Sequence, residues 1–232
     1  MDIKTLDLFS PETQENWYPA YAALQEDAPV YHIPGTNIYV LSRYEDVYGV
    51  LRDSETFSNE HEKHGAAVLF QYDSAKQIYL DKGWRRWHPL SLDPPAQRAY
   101  RSIVDPFFRG AGLRKIAPFI EETCDTLIAA MLERGEAEFV AQFAVPLPVT
   151  VITKMIGFPL EDMPQLKIWS EAWAHPFAGN LSEADEINVA ERGVEFQHYI
   201  HSHIKERRKQ PREDILTALT QASKADGTPL SD

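Results

Sequence analysis

The sequence predicts a mostly α fold with a small N-terminal antiparallel β-sheet, and two observations carry the prediction. Apolar residues recur at three- and four-residue spacing through 113–134, 149–156 and 187–208, as helices that bury one face require. Nearer the N-terminus, two β-rich runs at 30–33 and 38–41 flank Pro34-Gly35-Thr36-Asn37, which reads as a hairpin with a longer loop.

Taken in order, the first dozen residues read as a loosely attached arm, followed by a short helix over 18–26 with Tyr21 and Leu24 among its apolar contacts. After the hairpin, Ser42 and Glu45 have the spacing of a capping box. They predict a helix that buries Val47, Val50 and Leu51 before Asp53. The stretch 59–91 is the least periodic part of the chain. It holds His61, His64 and His88, Trp84 and Trp87, and the apolar run 66–70. Long aperiodic stretches serve as binding loops or as plain surface excursions, and both readings stay open here. The helix over 113–134 is expected to restart near Pro118 and to end at Gly135 as a C-cap. Cys124 lies on its apolar stripe with Ile120, Leu127 and Met131, which makes it a half-buried core residue.

Gly157-Phe158-Pro159 closes the next helix, and Leu160 to Pro164 opens another that contains Trp169 and Trp173. A polar turn is expected at 178–183. The long amphipathic helix 187–208 carries His198 and His201, three residues apart, but no spaced carboxylate or cysteine completes a ligand set. Both are read as solvated. Arg207, Arg208 and Lys209 suit the negative pole of that helix. A last helix covers 214–222, before a turn at Asp226 and Gly227.

A length of 232 residues suffices for one large domain or two small ones with a sizeable core. Lys and Arg number 23 against 35 Asp and Glu, a formal net charge of −12, which argues against nucleic acid or an anionic membrane as partner of the whole surface. A single cysteine excludes an internal disulfide and suits a reducing cytoplasm. No basic n-region precedes an apolar run, and no segment approaches 18 apolar residues, so the expected localisation is cytoplasmic. No phosphate-binding glycine loop, metal-ligand set or Ser/His/Asp arrangement appears, and no residue is assigned a catalytic role.

The most informative stretch is Leu92 to Phe108. Asp93 is placed as an N-cap with Pro94 at the first helical position. Gln97 and Arg101 are four apart and therefore share one face. A neutral donor and a fixed cation then point the same way, and the arginine fork matches a carboxylate or a phosphate. The plainer alternative is a surface helix whose arginine pairs with a neighbouring acid.

The wording Asp93-Pro94-Pro95-Ala96-Gln97-Arg98-Ala99-Tyr100-Arg101 resembles the C-helix of the bacterial soluble cytochromes P-450, haem-thiolate monooxygenases. That family usually writes Asp-Pro-Pro-Glu-His-Thr-x-x-Arg, and its His and Arg hold the haem propionates. Gln97 stands at the His position, as it does in camphor-hydroxylase-like members, and Arg101 at the Arg position. Further similarity lies in Val145-Pro146-Leu147-Pro148-Val149-Thr150, in Ile156-Gly157-Phe158-Pro159, in Arg207-Arg208, in 213–219 and in 226–232.

The resemblance implies that 1–232 is the N-terminal portion of a single P-450 domain. The I-helix, the Glu-x-x-Arg motif and the haem-cysteine loop are not in this sequence, and Cys124 is not promoted to axial ligand. It implies haem b as cofactor, with iron held by a thiolate outside this sequence. It also implies a small, apolar organic substrate, and a ferredoxin or other electron-transfer protein as partner. Trp87 and Leu90 would lie nearest the substrate pocket, and Arg98 would face the electron donor. The alternative is a stand-alone, non-catalytic helical binding or interaction protein derived from that fold.

Overall fold

The computed structural model describes residues 3–60, 70–84, 92–174, 181–223 and 227–230. The chain divides into two compact units, Met1–Asn59 and Glu60–Asp232. The expected turn at 178–183 and the turn at Asp226 fall partly outside the described residues. Trp87, His88 and Leu90 fall wholly outside them.

The first unit contains α1 (Pro11–Glu15), α2 (Tyr18–Asp27), strands β1 (Val30–His32) and β2 (Tyr39–Leu41), and α3 (Tyr44–Arg52). The strands pair antiparallel with Val30 opposite Leu41 and His32 opposite Tyr39, the hairpin predicted from their composition. The N-terminal arm is not loose. Leu6 is buried with Ala20, Leu24 and Tyr31 in one cluster, and the Tyr31 hydroxyl donates to Leu6 O at 3.2 Å. Ser10 caps α1 by accepting from Thr13 N at 3.2 Å.

Two expectations for α3 fail. Ser42 does not cap it, because the Ser42 N–H and hydroxyl both turn to Pro29 O at the end of the hairpin, and Arg43 precedes the helix without a side-chain cap. Leu51 is exposed rather than buried. Tyr21, expected among the apolar contacts of α2, is also largely exposed and lies against Trp17.

The regular elements described in the second unit are helices, with one isolated antiparallel bridge between Ser223 and Pro229. Its helices are α4 (Asp73–Lys82), α5 (Ala96–Val104), α6 (Ala111–Arg134), α7 (Pro146–Ile156), α8 (Met163–Ala174), α9 (Glu183–Lys209) and α10 (Ile215–Gln221). The stretch read as aperiodic therefore contains a helix, α4. Its Ala75 and Tyr79, with Phe70 just before it, pack against Val189, Ala190 and Val194 of α9 in one of two buried clusters among the unit's described residues. The other joins Phe158, Leu166, Trp169 and Leu216, with Phe196, Tyr199, Ile200 and Ile204 packed on it.

The long helix α9 thus contributes to both cores, through Val189, Ala190 and Val194 to the cluster with α4 and through Phe196, Tyr199, Ile200 and Ile204 to the cluster with α8 and α10. It begins at Glu183, capped by Ser182, several residues before the periodicity becomes visible. The α6 helix passes through Pro118 without a restart, and Gly135 ends it in the left-handed conformation, φ 75°. A five-residue π-helical turn, Val140–Ala144, leads into α7.

A candidate anion-holding face on helix α5

Helix α5 starts at Ala96, three residues after the expected cap. Pro95 disfavours helical torsions at the residue before it, so Pro94 lies in a turn rather than at the first helical position. Asp93 contributes its carbonyl, which accepts from Gln97 N at 3.0 Å. Ala96, Gln97, Arg98, Ala99 and Arg101 are good helix formers, and Ile103 and Val104 are half-buried. Pro106 then closes the helix into a tighter 3₁₀ turn, Asp105–Phe108.

Gln97 and Arg101 sit one turn apart, Gln97 half-buried and Arg101 exposed. The Arg101 guanidinium is not free-standing. Its Nε donates to Asp105 Oδ1 at 2.8 Å, while Arg109 Nη2 approaches Asp105 Oδ2 at 3.0 Å. Asp105 is only 23% exposed, whereas Arg101 and Arg109 are 63% and 76% exposed. One carboxylate therefore lies between two cations, and the Nη groups of Arg101 stand outside its bond to Asp105. The ion pair is the plainer alternative read from the sequence, an arginine of a surface helix joined to a neighbouring acid, although that reading did not name Asp105.

Arg98 is exposed. From Ala96 to Phe119 the sequence carries five cations, Arg98, Arg101, Arg109, Arg114 and Lys115, against the single carboxylate of Asp105. This local excess of positive charge opposes the acidity of the chain as a whole. Lys115 is tied to Glu213 across to the segment that opens α10.

Elsewhere the charges do structural work. Arg207, read from the sequence as a helix-end cation, is buried. Its Nε meets Asp214 Oδ2 at 2.7 Å and its Nη2 donates to Gly157 O. Burial raises the Asp214 carboxyl, but hydrogen bonds from Thr217 and the bond and charge of Arg207 outweigh it and hold the group below its ordinary value of 3.8. Burial, with a hydrogen bond to Asp162, pushes the Tyr199 hydroxyl well above the usual phenol range. His198 and His201 are not simply solvated, since both rings pack on Trp84 and His198 Nε2 donates to Lys82 O at 2.7 Å. Cys124 is half-buried on α6, as its stripe predicts. Among the described residues no three His, Cys, Asp or Glu side chains gather as a metal site would need, and no helix is long and apolar enough to cross a membrane.

A two-stranded N-terminal sheet followed by this succession of helices is the N-terminal part of the cytochrome P-450 fold, and solved P-450 structures match it over about half their length. Myxobacterial cytochrome P-450 CYP267B1, solved in complex with myristic acid, superposes with a TM-score of 0.75 at 27% identity, covering 95% of this chain and 54% of that one.

No family model matches the sequence. Its curated relatives are cytochromes P-450 across almost its whole length. The protein designated cytochrome P-450 123 in Mycobacterium tuberculosis is 29% identical over 227 residues, which is 98% of this chain and 54% of that protein. Cyclomarin C epoxidase CymV of Salinispora arenicola is 29% identical over 212 residues, 90% of this chain and 50% of that protein. The chain spans about half the length of the curated relatives it matches.

Proposed function

We propose that this chain forms the propionate-binding and pocket-side half of a haem-thiolate monooxygenase. The complete protein would bind haem b and hydroxylate a small, apolar organic substrate, using dioxygen and electrons from a ferredoxin or other redox protein. The observation that carries the reading is the pairing of Gln97 and Arg101 on α5, with the guanidinium steadied by Asp105. When bound, the haem iron supplies the oxygen-activating chemistry.

The contribution of this chain's residues is to bind and orient. Arg101 offers its Nη donors to a propionate carboxylate, and Gln97 adds a neutral donor from the preceding turn. An exposed Arg–Asp pair contributes about 0–1 kcal/mol, so sharing the guanidinium with a propionate costs little. A charge-assisted bond to the propionate is worth roughly 1.5–3 kcal/mol and wins that competition. Trp87 and Leu90 would face the substrate, and the segment 59–91 would cover its pocket. Arg98 and the cations near it give an acidic electron donor a place to land. Cys124 packs on the α6 stripe and takes no part in ligating iron.

The test is a haem titration of the complete protein, wild type against Arg101→Ala. The expected outcome is a ten- to hundredfold loss of affinity. An unchanged affinity would return Arg101 to its surface pair with Asp105.

A further inference from the structure

Helix α2 buries Ala20 and Leu24, four residues apart, in the cluster with Leu6 and Tyr31, and this fixes which of its residues face outward. Tyr18 and Tyr21 stay exposed, and both rings rest on Trp17, which precedes the helix. Trp17 and Tyr18 stack with centroids 3.9 Å apart, and Tyr21 tilts against Trp17 at 4.8 Å. The three rings form one contiguous aromatic surface, with Tyr18 69% exposed and Trp17 40%. A single exposed aromatic side chain needs no explanation, whereas several in contact mark an interaction site.

The charge around these rings has one sign. From Asp7 to Asp27 the sequence carries five carboxylates and no lysine, arginine or histidine. Glu12 and Glu15 of α1, and Glu26 and Asp27 at the end of α2, are all exposed. The face of an aromatic ring is itself electronegative, so rings and carboxylates attract the same kind of group, a cation. Nucleic acid, an anionic membrane or an acidic protein is repelled by such a surface, and a purely apolar ligand makes no use of the carboxylates.

We propose that Trp17, Tyr18 and Tyr21, with Glu12 and Glu15 before them in the sequence, form a docking surface for a basic segment of a partner protein. Its lysine or arginine side chains lie on the rings, and the carboxylates draw them in and set their register. The surface is built wholly from the first unit and is independent of the haem reading. It also calls for a partner of opposite charge to the acidic electron donor assigned to α5.

The experiment is fluorescence anisotropy of a dye-labelled peptide that alternates lysine with glycine, titrated with the 232-residue chain at low salt, where its net charge of −12 keeps the molecules apart. Saturable binding is expected, and none to the same peptide with glutamate in place of lysine. Tyr18→Leu keeps an apolar side chain but removes the ring, and should weaken binding roughly two- to fivefold. Glu12→Gln combined with Glu15→Gln should weaken it at least as much. Glu121→Gln combined with Glu133→Gln removes the same charge from exposed positions of α6 and should leave the affinity at the wild-type value. Tyr18 lies outside the buried cluster of the first unit, so its variant tests the surface without disturbing the fold, which an unchanged far-ultraviolet circular dichroism spectrum verifies. Equal weakening by the two glutamine pairs would reduce the binding to diffuse attraction toward an acidic chain. That result, an unchanged affinity in Tyr18→Leu, or no binding to the wild type would each overturn the proposal.

Discussion

At the scale of single residues, two arginines show how environment decides what the same side chain does. Arg101 is exposed and shares Asp105 with Arg109, so its guanidinium is oriented yet accessible. Arg207 is buried and pairs with Asp214, and it serves only to hold α7, α9 and α10 together. The sequence distinguishes them poorly, because both sit near the ends of helices with other cations close by. Substituting Asp214 by Asn keeps a capping acceptor for α10 while leaving Arg207 buried without its counter-charge. A loss of about 3–5 kcal/mol is expected, read from the urea midpoint. The pH dependence has a definite sign. The Asp214 carboxyl titrates lower in the folded chain than its ordinary 3.8, so its stabilisation is fully present above that value and drains away as pH falls below it. The Asn variant should lack that part of the acid-side decline. At the other arginine-rich site, Arg98→Glu in the complete protein should slow reduction by an acidic electron donor, most at low salt. A rate equal to that of the wild type at every ionic strength would remove Arg98 from the donor face.

At the scale of elements, legibility followed the strength of the local signal. The hairpin, α6 with its Gly135 stop, and the body of α9 were readable because each has a clear period and a clear terminator. The start of α5 and the cap of α3 were misplaced because a local rule lost to a competing one, the Pro-Pro restriction in the first case and the hairpin's claim on Ser42 in the second. Helix α4 was missed because Ala75, Ile78 and Tyr79 mark its period over little more than one turn, and the bonds at its ends reach residues more than a hundred positions away. The same long-range logic makes Gly157 a sensitive point. It ends α7 at φ 98°, and a Cβ there would run into the Asp214 carboxylate while the Gly157 carbonyl accepts from Arg207. Gly157→Ala should therefore cost about 2 kcal/mol or more, combining a strained left-handed residue with a disturbed buried ion pair. A urea midpoint within error of the wild type would show that the three helices relax around the methyl group.

At the scale of the whole molecule, many large apolar side chains of the described residues are exposed. None of the 24 residues of α6 is buried, and among the residues of α7 only Thr153 is. Leu113, Ile128 and Leu132 of α6, Ile152 of α7, Ile168 of α8, and Phe139 and Val140 before the π-helical turn are all exposed. A hollow of about 730 Å³ lined largely by Val140, Val145, Val149, Leu160, Met163 and Pro164 belongs to the same apolar region. Helices with an apolar stripe are stable when that stripe is covered, and exposed apolar patches beyond a few hundred Å² promote association. The net charge of −12 opposes such association at low salt, because the molecules repel one another. The two effects have different ranges. Apolar contact acts on touching, whereas the repulsion is screened within about 8 Å at physiological ionic strength. The 232-residue chain is therefore expected to bind an apolar dye strongly and to self-associate as salt is raised from 10 to 500 mM, concentrations chosen to span roughly a 30 Å to a few-Å screening length. Light scattering at several protein concentrations gives the mass. Leu132→Glu, which puts a charge on the most exposed of these side chains at 75% exposure, should lower the associated fraction without altering helicity. A monodisperse monomer at high salt with no dye binding would mean that the chain covers these helices by itself.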